Sequence, residues 1–399
     1  MSLPFRTTAR VVVASALAFC TAPAVPVAGP AAAIVTAVNS LDIQRSSETI
    51  VLSAAEVGRA AGIVDLKTVH VVDQASGREV LSQAIDLDDD GRLDELVFQA
   101  DFEPRATRSF SLSAGDRVVY TRDQFKAYGR FVRERRDDFA WENDRVAHRM
   151  YGAALETWVQ EPLTSSGVDV WVKRAGRLVI NDWYMVDDYH RDNGEGADLY
   201  SVGRTRGCGG NAPWIDGKMY PSGNFRGTRV IANGPIRVMF ELSYEPWDAG
   251  GLRIGEVKRV TLDAGHHFNR FESTYRIYAA PRELHHAVGI RRNAGSEVLR
   301  SAHGLLRTWE PIKGNAGSLG CAVIADPASI ADTPDTASEY LVVARVPKDG
   351  PAVYFAGSAW DKAGVITSAV VWDRYIDNMA RRLRNPLRVT LEPAGRAGQ

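Results

Sequence analysis

Residues 232–247 read ANGPIRVMFELSYEPW, and residues 258–277 read KRVTLDAGHHFNRFESTYRI. In the first run, apolar side chains recur at Ile236, Val238, Phe240 and Leu242. In the second they recur at Val260 and Leu262, then at Phe271, Tyr275 and Ile277. A period of two marks a strand with one buried face. Ala264-Gly265 supplies a turn between two of these strands. Strands this long require a second layer to cover the apolar face.

Working outward, DVWVKR, RLVIND, TRVIAN, EYLVVARV, AVYFAGSAW and ITSAVVWD have the same character. Strong helix patterns are few. WDRYIDNMARRL places Tyr375, Met379 and Leu383 at helical spacing, which predicts a helix over 371–383, ended by Asn385-Pro386. Before residue 116, the runs TIVLSAAEV, TVHVVDQ, REVLSQAIDLD, LDELVFQADF and SFSLSA are short, alternating and split by turn residues. The expected fold class is all-β: a small immunoglobulin-like sandwich over 39–116, then a large β unit over 118–395 made of two packed sheets or a barrel.

The 399 residues carry a formal net charge of −1, with 45% hydrophobic and 24% charged residues. No basic face or Lys/Arg block appears, so nucleic acid is not an expected partner. The N-terminus has the layout of a signal peptide: Arg6 and Arg10, an apolar run from Val11 to Phe19, then small residues and prolines. That run is too short to span a bilayer, and no later segment is apolar enough. The leader is assigned to 1–33, giving an expected periplasmic or secreted protein with a charge of about −3. Cys208 and Cys321 remain after cleavage. An oxidising compartment permits a disulfide between them, or they stay as separate thiols.

The pair of runs quoted first resembles the strand pair of galactose-mutarotase-like β-supersandwich domains. There, too, a Gly-Pro lead precedes a strand, an Ala-Gly turn and another strand. Across roughly residues 51–391 the chain resembles a family of secreted bacterial proteins of long-unassigned function, found among polysaccharide-degrading enzymes. The resemblance rests on DDDGRLDELVFQADF, RDDFAWENDRVAHRMYG, GVDVWVKR, DYHRDNGEGADLYSVGRTRGCGG and YFAGSAWDKAG. It implies an activity like that of enzymes that dehydrate or eliminate at a uronic acid of an oligosaccharide, as in ulvan breakdown.

The stretch from Phe131 to Trp214 is rich in Trp, Tyr, His, Arg and carboxylates set among glycines. That mixture suits a cleft for a polyhydroxylated ligand, or a charge-rich β surface with no site. The run 135–145 is either a solvated loop or places Trp141, Glu142, Asn143 and Arg145 in the cleft. Trp141, Trp183 and Trp214 offer faces for sugar rings. In 182–198, His190 offers an imidazole as acid or base, and Tyr184 and Tyr189 stand beside it as proton donors or acceptors. His190 with Asp187, Asp188 and Glu195 has the residue types of a metal site, though at irregular spacing. A loop histidine with only a structural hydrogen bond is the plainer alternative. Arg204 and Arg206 lead into Gly207-Cys208-Gly209-Gly210, and an Arg fork matches a carboxylate.

Asp86, Asp88 and Asp90 followed by Gly91 have the spacing of a calcium loop, but Val97 stands where a bidentate carboxylate is needed. An acidic hairpin turn is the simpler reading. His266-His267 and His285-His286 are pairs of which each presents only one ring to a given sheet face. No serine-nucleophile, phosphate-loop or dinucleotide motif appears.

The expected function is therefore a carbon-oxygen lyase on uronic-acid oligosaccharides. His190, Tyr184, Tyr189 and Arg206 are its candidate catalytic residues. Trp141, Glu142, Asn143, Arg145, Glu195, Arg204 and Trp214 are its candidate binding residues. No metal or cofactor is expected beyond the calcium alternative. The rivals are a glycan-binding protein, an epimerase using His286 and Glu272, and a glycoside hydrolase using Glu142 and Glu195.

Overall fold

Strand Arg237–Ala249 pairs antiparallel with Leu252–Asp263, and that strand pairs with Phe268–Ile277. A computed structural model of the chain describes residues 30–395 except 161, 162, 187, 188, 281, 302 and 303. Most of the expected leader therefore lies outside the described residues, as do Asp187 and Asp188. The three strands belong to an antiparallel sheet of eight that continues through Ala352–Trp360 and Ser318–Ala325.

Two five-stranded sheets face it. One is built on Ala127–Val132, Asp138–Asn143, Ala147–Met150 and Asp169–Lys173, and the other on Cys208–Ile215, His285–Arg291 and Glu339–Arg345. The main core fills the space between the layers, where Phe139 stacks on Phe240 with ring centroids 4.1 Å apart. Cys208 and Cys321 form a disulfide joining the second five-stranded sheet to the sheet of eight.

Helix Ala369–Arg384 covers the outer face of the large sheet with Trp372, Ile376, Met379 and Ala380. Ser368 caps its first turn by accepting from the Val371 N–H. Of the expected stripe, Met379 is buried, while Tyr375 and Leu383 pack partly buried at its margin.

The N-terminal unit is a sandwich of a five-stranded and a three-stranded sheet, with Phe98, Phe102, Phe110 and Leu112 in its core. Its first strand is Ala33–Val38, so the sandwich starts before residue 39. The last strand, Arg388–Pro393, returns to pair with that first strand. The boundary drawn from sequence had placed it in the second unit. The run TIVLSAAEV is strand only as far as Ser53. Ala54–Ala61 is a helix, begun by a capping box in which Ser53 and Glu56 bond each other's backbone N–H. Ser-x-x-Glu before an apolar run was the available signal for it.

Candidate functional site

In strand Ala147–Met150, His148 and Met150 point into the core while Ala147 and Arg149 point to the opposite face. Arg149 is 3% exposed, and three carboxylates converge on it. Its Nε donates to Asp169 Oδ2 at 2.7 Å, Nη2 pairs with Asp198 Oδ2 at 2.8 Å, and Nη1 reaches Asp138 Oδ2 at 3.4 Å. Tyrosine hydroxyls close the group. Tyr151 donates to Asp169 at 3.0 Å, Tyr184 donates to Asp138 at 3.4 Å, and Tyr189 accepts from Arg149 at 3.3 Å. Trp171 forms the floor and stacks on Trp183 and Tyr189.

One guanidinium beside three buried carboxylates leaves an excess of negative charge in a dry site, where proton uptake is the relief. Burial pushes the Asp138 carboxyl up to about 7, against the opposing pull of Arg149 and Arg135. Burial likewise holds Asp198 well above the usual carboxylate range. The Tyr184 and Tyr151 phenols are raised by burial too and stay protonated. Among the described residues, Asp138 Oδ1 and Asp198 Oδ1 have no hydrogen-bond partner, while Asp198 Oδ2 is held in the ion pair with Arg149. Perturbed buried acids with spare acceptor atoms are a mark of functional sites.

His190 stands at the rim with its side chain 52% exposed. Its Nδ1 lies 3.4 Å from Asp198 Oδ2 and 3.1 Å from the Asp198 carbonyl oxygen. The carbonyl oxygen can only accept, which favours the tautomer carrying its proton on Nδ1 and leaves the Nε2 lone pair available. The Tyr189 ring packs against the imidazole at 4.4 Å. Further along the rim, Arg135 lies 5.8 Å over Tyr189 and 4.8 Å over Trp158, and Arg136 lies 5.0 Å over Trp158.

The turn that delivers these arginines is strained. Arg136 and Asp137 both have left-handed backbone, at φ 54° and 69°, immediately before Asp138. Such conformations cluster at functional sites. Gly152 makes room for this turn: a Cβ there would sit 1.7 Å from the Asp137 carbonyl oxygen.

Of the residues singled out from sequence, the fold brings together Trp183, Tyr184, Tyr189 and His190, with Trp183 buried against Trp171 rather than offering a face to a sugar. It places the others elsewhere. Trp141 is fully buried, donates to Asn269 Oδ1 at 2.7 Å and stacks on His148, so it has no face for a sugar. Glu142 is equally buried. It accepts from Lys173 Nζ at 2.6 Å and from the N–H groups of Val179 and Ile180, anchoring the short helix Ile180–Tyr184. Asn143 ties a turn to the carbonyls of Asp263 and His266. Arg145 is exposed beside Asp144. Glu195 is held by Arg177 Nε and Nη2, at 2.8 and 2.7 Å, so Glu142 and Glu195 do not form a hydrolase pair.

Arg206 is 1% exposed and lies between the sheets, bonded to Ser166 Oγ at 2.7 Å and paired with Glu339, out of reach of a substrate at His190. Arg204 is exposed on the preceding turn, and Trp214 packs in a small cluster with Ala287 and Val343 on the other five-stranded sheet. Sequence reasoning did not single out Arg149, Asp169 or Trp158. Asp138, Asp198 and Arg135 were noted only as parts of charged runs. The period-two pattern of ENDRVAHRMYG, with Arg149 out of phase with His148 and Met150, was the signal available.

Residues 38–389 match the family described as a domain of unknown function, DUF4861. The chain belongs to the DUF4861 family. A relative from Formosa agariphila, called uncharacterized protein P7, is 34% identical over 379 residues, covering 90% of this chain and 93% of the relative. A solved protein of glycosyl hydrolase family 38 from Enterococcus faecalis superposes with a TM-score of 0.51 at 10% identity, over 92% of this chain and 48% of its own. An alpha-mannosidase from the same organism gives a TM-score of 0.49 at 10% identity, over 92% and 46%. The DUF4861 chain thus spans about half the length of these structures, and the likeness concerns the all-β fold.

The acidic turn of this DUF4861 chain brings together Asp86, Asp88 and Asp94, rather than Asp90, within metal-binding distance of one another. Backbone N–H groups of Asp89 and Gly91 already occupy the two Asp86 oxygens, at 2.7 and 2.9 Å. His286 faces the interior against Tyr275 and Tyr354. Glu272 pairs with Arg270 on the face of the large sheet opposite Phe271, so the epimerase pair is not assembled. His266 and His267 are buried and bond the carbonyls of Ser47 and Ser358. No described helix is long and apolar enough to cross a membrane.

Proposed function

We propose that this protein is an exported, carbohydrate-active lyase that eliminates across a uronic-acid unit of an oligosaccharide. The observation that carries the reading is the His190–Asp198 pair, an accessible imidazole oriented by a buried carboxylate at the edge of a protonatable cluster. A solvent-facing base fixed in one tautomer suits abstraction of a weakly acidic C–H. In the proposed step, His190 Nε2 takes the proton alpha to the uronate carboxylate. The C–H electrons form the new carbon–carbon double bond, and the bond from the neighbouring carbon to its oxygen breaks. The imidazolium then returns the proton to the leaving oxygen.

Negative charge builds on the uronate carboxylate during proton removal and needs a cation in place beforehand. Arg135 and Arg136 take the role first given to Arg206, because they stand beside Tyr189 and Trp158 at the same rim. Trp158 is half-buried and supplies the aromatic face first sought at Trp141. Tyr184 and Tyr189 turn their hydroxyls toward Asp138 and Arg149, so their part is to hold the cluster rather than to meet the sugar.

Export is supported by the leader's layout and by the Cys208–Cys321 disulfide, which suits an oxidising compartment. The test is incubation with a panel of uronate oligosaccharides, following ultraviolet absorbance of an unsaturated uronate, with mass spectrometry to separate water loss from chain cleavage. Binding without any unsaturated product would instead establish a glycan-binding protein.

A further inference from the structure

Away from the Arg149 cluster, a cavity of 880 Å³ opens at the end of the other five-stranded sheet, between residues 275–279, 282–284 and 345–348. Its walls carry three cations, Arg282, Arg345 and Lys348, against one acid, Glu283. Glu283 is already engaged, 3.2 Å from Arg345 Nε and 3.8 Å from His285 Nε2. Positive charge therefore exceeds negative charge around the opening. Ile277, Leu284 and Val346 make the lining partly apolar, and Tyr275 forms part of the wall.

Tyr275 is held rigidly. Its hydroxyl accepts from Asn211 Nδ2 at 2.6 Å, and the same amide reaches Ser273 Oγ at 2.9 Å and Glu256 at 3.2 Å. His286 packs edge-on to the ring at 6.2 Å, with its own Nδ1 buried and, among the described residues, without a hydrogen-bond partner. An aromatic ring fixed by a buried network loses little entropy when a ligand stacks on it. A fixed aromatic face beside surplus cations is the chemistry that recognises a sugar ring bearing an acid group.

We infer that this cavity is a second saccharide site. It takes an acidic sugar, whose carboxylate is held by Arg345 with Arg282 and Lys348 and whose ring lies on Tyr275. It shares no residue with the Arg149 cluster, so it stands whether or not His190 is catalytic.

Calorimetric titration of the full chain with trigalacturonate, and with maltotriose as a neutral control, tests it. The expected result is trigalacturonate binding that survives His190→Ala but weakens about tenfold or more in the double variant Arg345→Ser/Lys348→Ser, each tenfold being about 1.4 kcal/mol. Tyr275→Leu should weaken it similarly, and Tyr275→Phe less, because the ring remains. If Tyr275→Leu does not fold, the double variant decides the matter, since both of its residues are exposed. Equal binding of maltotriose, unchanged titration of the double variant, or no binding to the parent would each overturn the inference. Turnover by the double variant reports separately on His190.

Discussion

His190 Nδ1 meets Asp198 twice, at its carboxylate 3.4 Å away and at its backbone carbonyl 3.1 Å away, so one buried residue sets both the tilt and the tautomer of an exposed ring. His190→Ala should lower turnover by about 100- to 10,000-fold, the usual cost of losing a general acid or base. Because the side chain is half exposed, the thermal midpoint should stay near that of the parent. Asp198→Asn keeps the volume but removes the titratable acid, and should lower kcat more than it raises KM. A folded His190→Ala protein that turns over a uronate oligosaccharide at the parent rate would rule the mechanism out.

Asp138 gives the chain a distinctive stability profile. Its carboxyl protonates near 7 when folded, against an ordinary value of 3.8. Between those values the folded chain holds a proton that the unfolded chain has released. Stability from this group is therefore fully present below about pH 4 and is lost as pH rises toward about 7. Asp198, raised by the same burial, acts in the same direction. Asp263 acts oppositely: its carboxyl is held low despite burial, chiefly by Arg237, so its contribution is lost only in acid. The parent-minus-Asp138→Asn difference in thermal midpoint isolates the first effect. It should shrink as pH rises from about 4 to about 7, and a difference that is flat across the window would count against a shared proton in the cluster.

Two tryptophans of the same region should separate cleanly. Trp141 is fully buried between the sheets, so Trp141→Ala should cost about 3–5 kcal/mol of stability, the range for emptying a large aromatic site. Trp158→Ala should instead weaken oligosaccharide binding with a smaller loss of stability, since Trp158 is only half-buried and stands beside two arginines at the rim. Denaturant midpoints and binding titrations on both variants distinguish these outcomes.

Strand character was legible because Val238, Phe240, Leu242 and Phe271 repeat at period two, and burial enforces that period. The loop carrying Tyr184, Tyr189 and His190 was legible because aromatic and titratable residues there crowd among glycines. Trp141, Glu142 and Asn143 were misplaced for a physical reason. Their strand is buried on both faces, by the main core beneath and by Val179, Ile180, Trp183 and Tyr189 above, so alternation carried no sign of inside and outside. Arg149 was hidden because a fully buried arginine depends on carboxylates from three other places in the chain, and spacing along the sequence records none of those meetings. Strand Arg388–Pro393 reads as an ordinary strand, and only its pairing across more than 300 residues of chain shows which sheet it joins.

That closing strand also constrains where the proposed leader ends. Ala33, Val35 and Ala37 are fully buried, and their strand is paired on one side with Thr107–Ala114 and on the other with Arg388–Pro393. The ladder extends to Ala32, whose N–H donates to Leu112 O at 2.7 Å and whose carbonyl accepts from Ala394 at 3.0 Å. Cleavage after this strand would remove an inner member of the five-stranded sheet and leave two edges unpaired. Cleavage within the small-residue segment before it removes the apolar run and spares the sheet. The exported protein should therefore begin between Ala24 and Ala32, as read by N-terminal sequencing of material secreted by a bacterial host. An intact Met1 on a cytoplasmic product would defeat the export reading, and a first residue beyond Ala33 would contradict the place of this strand in the mature fold.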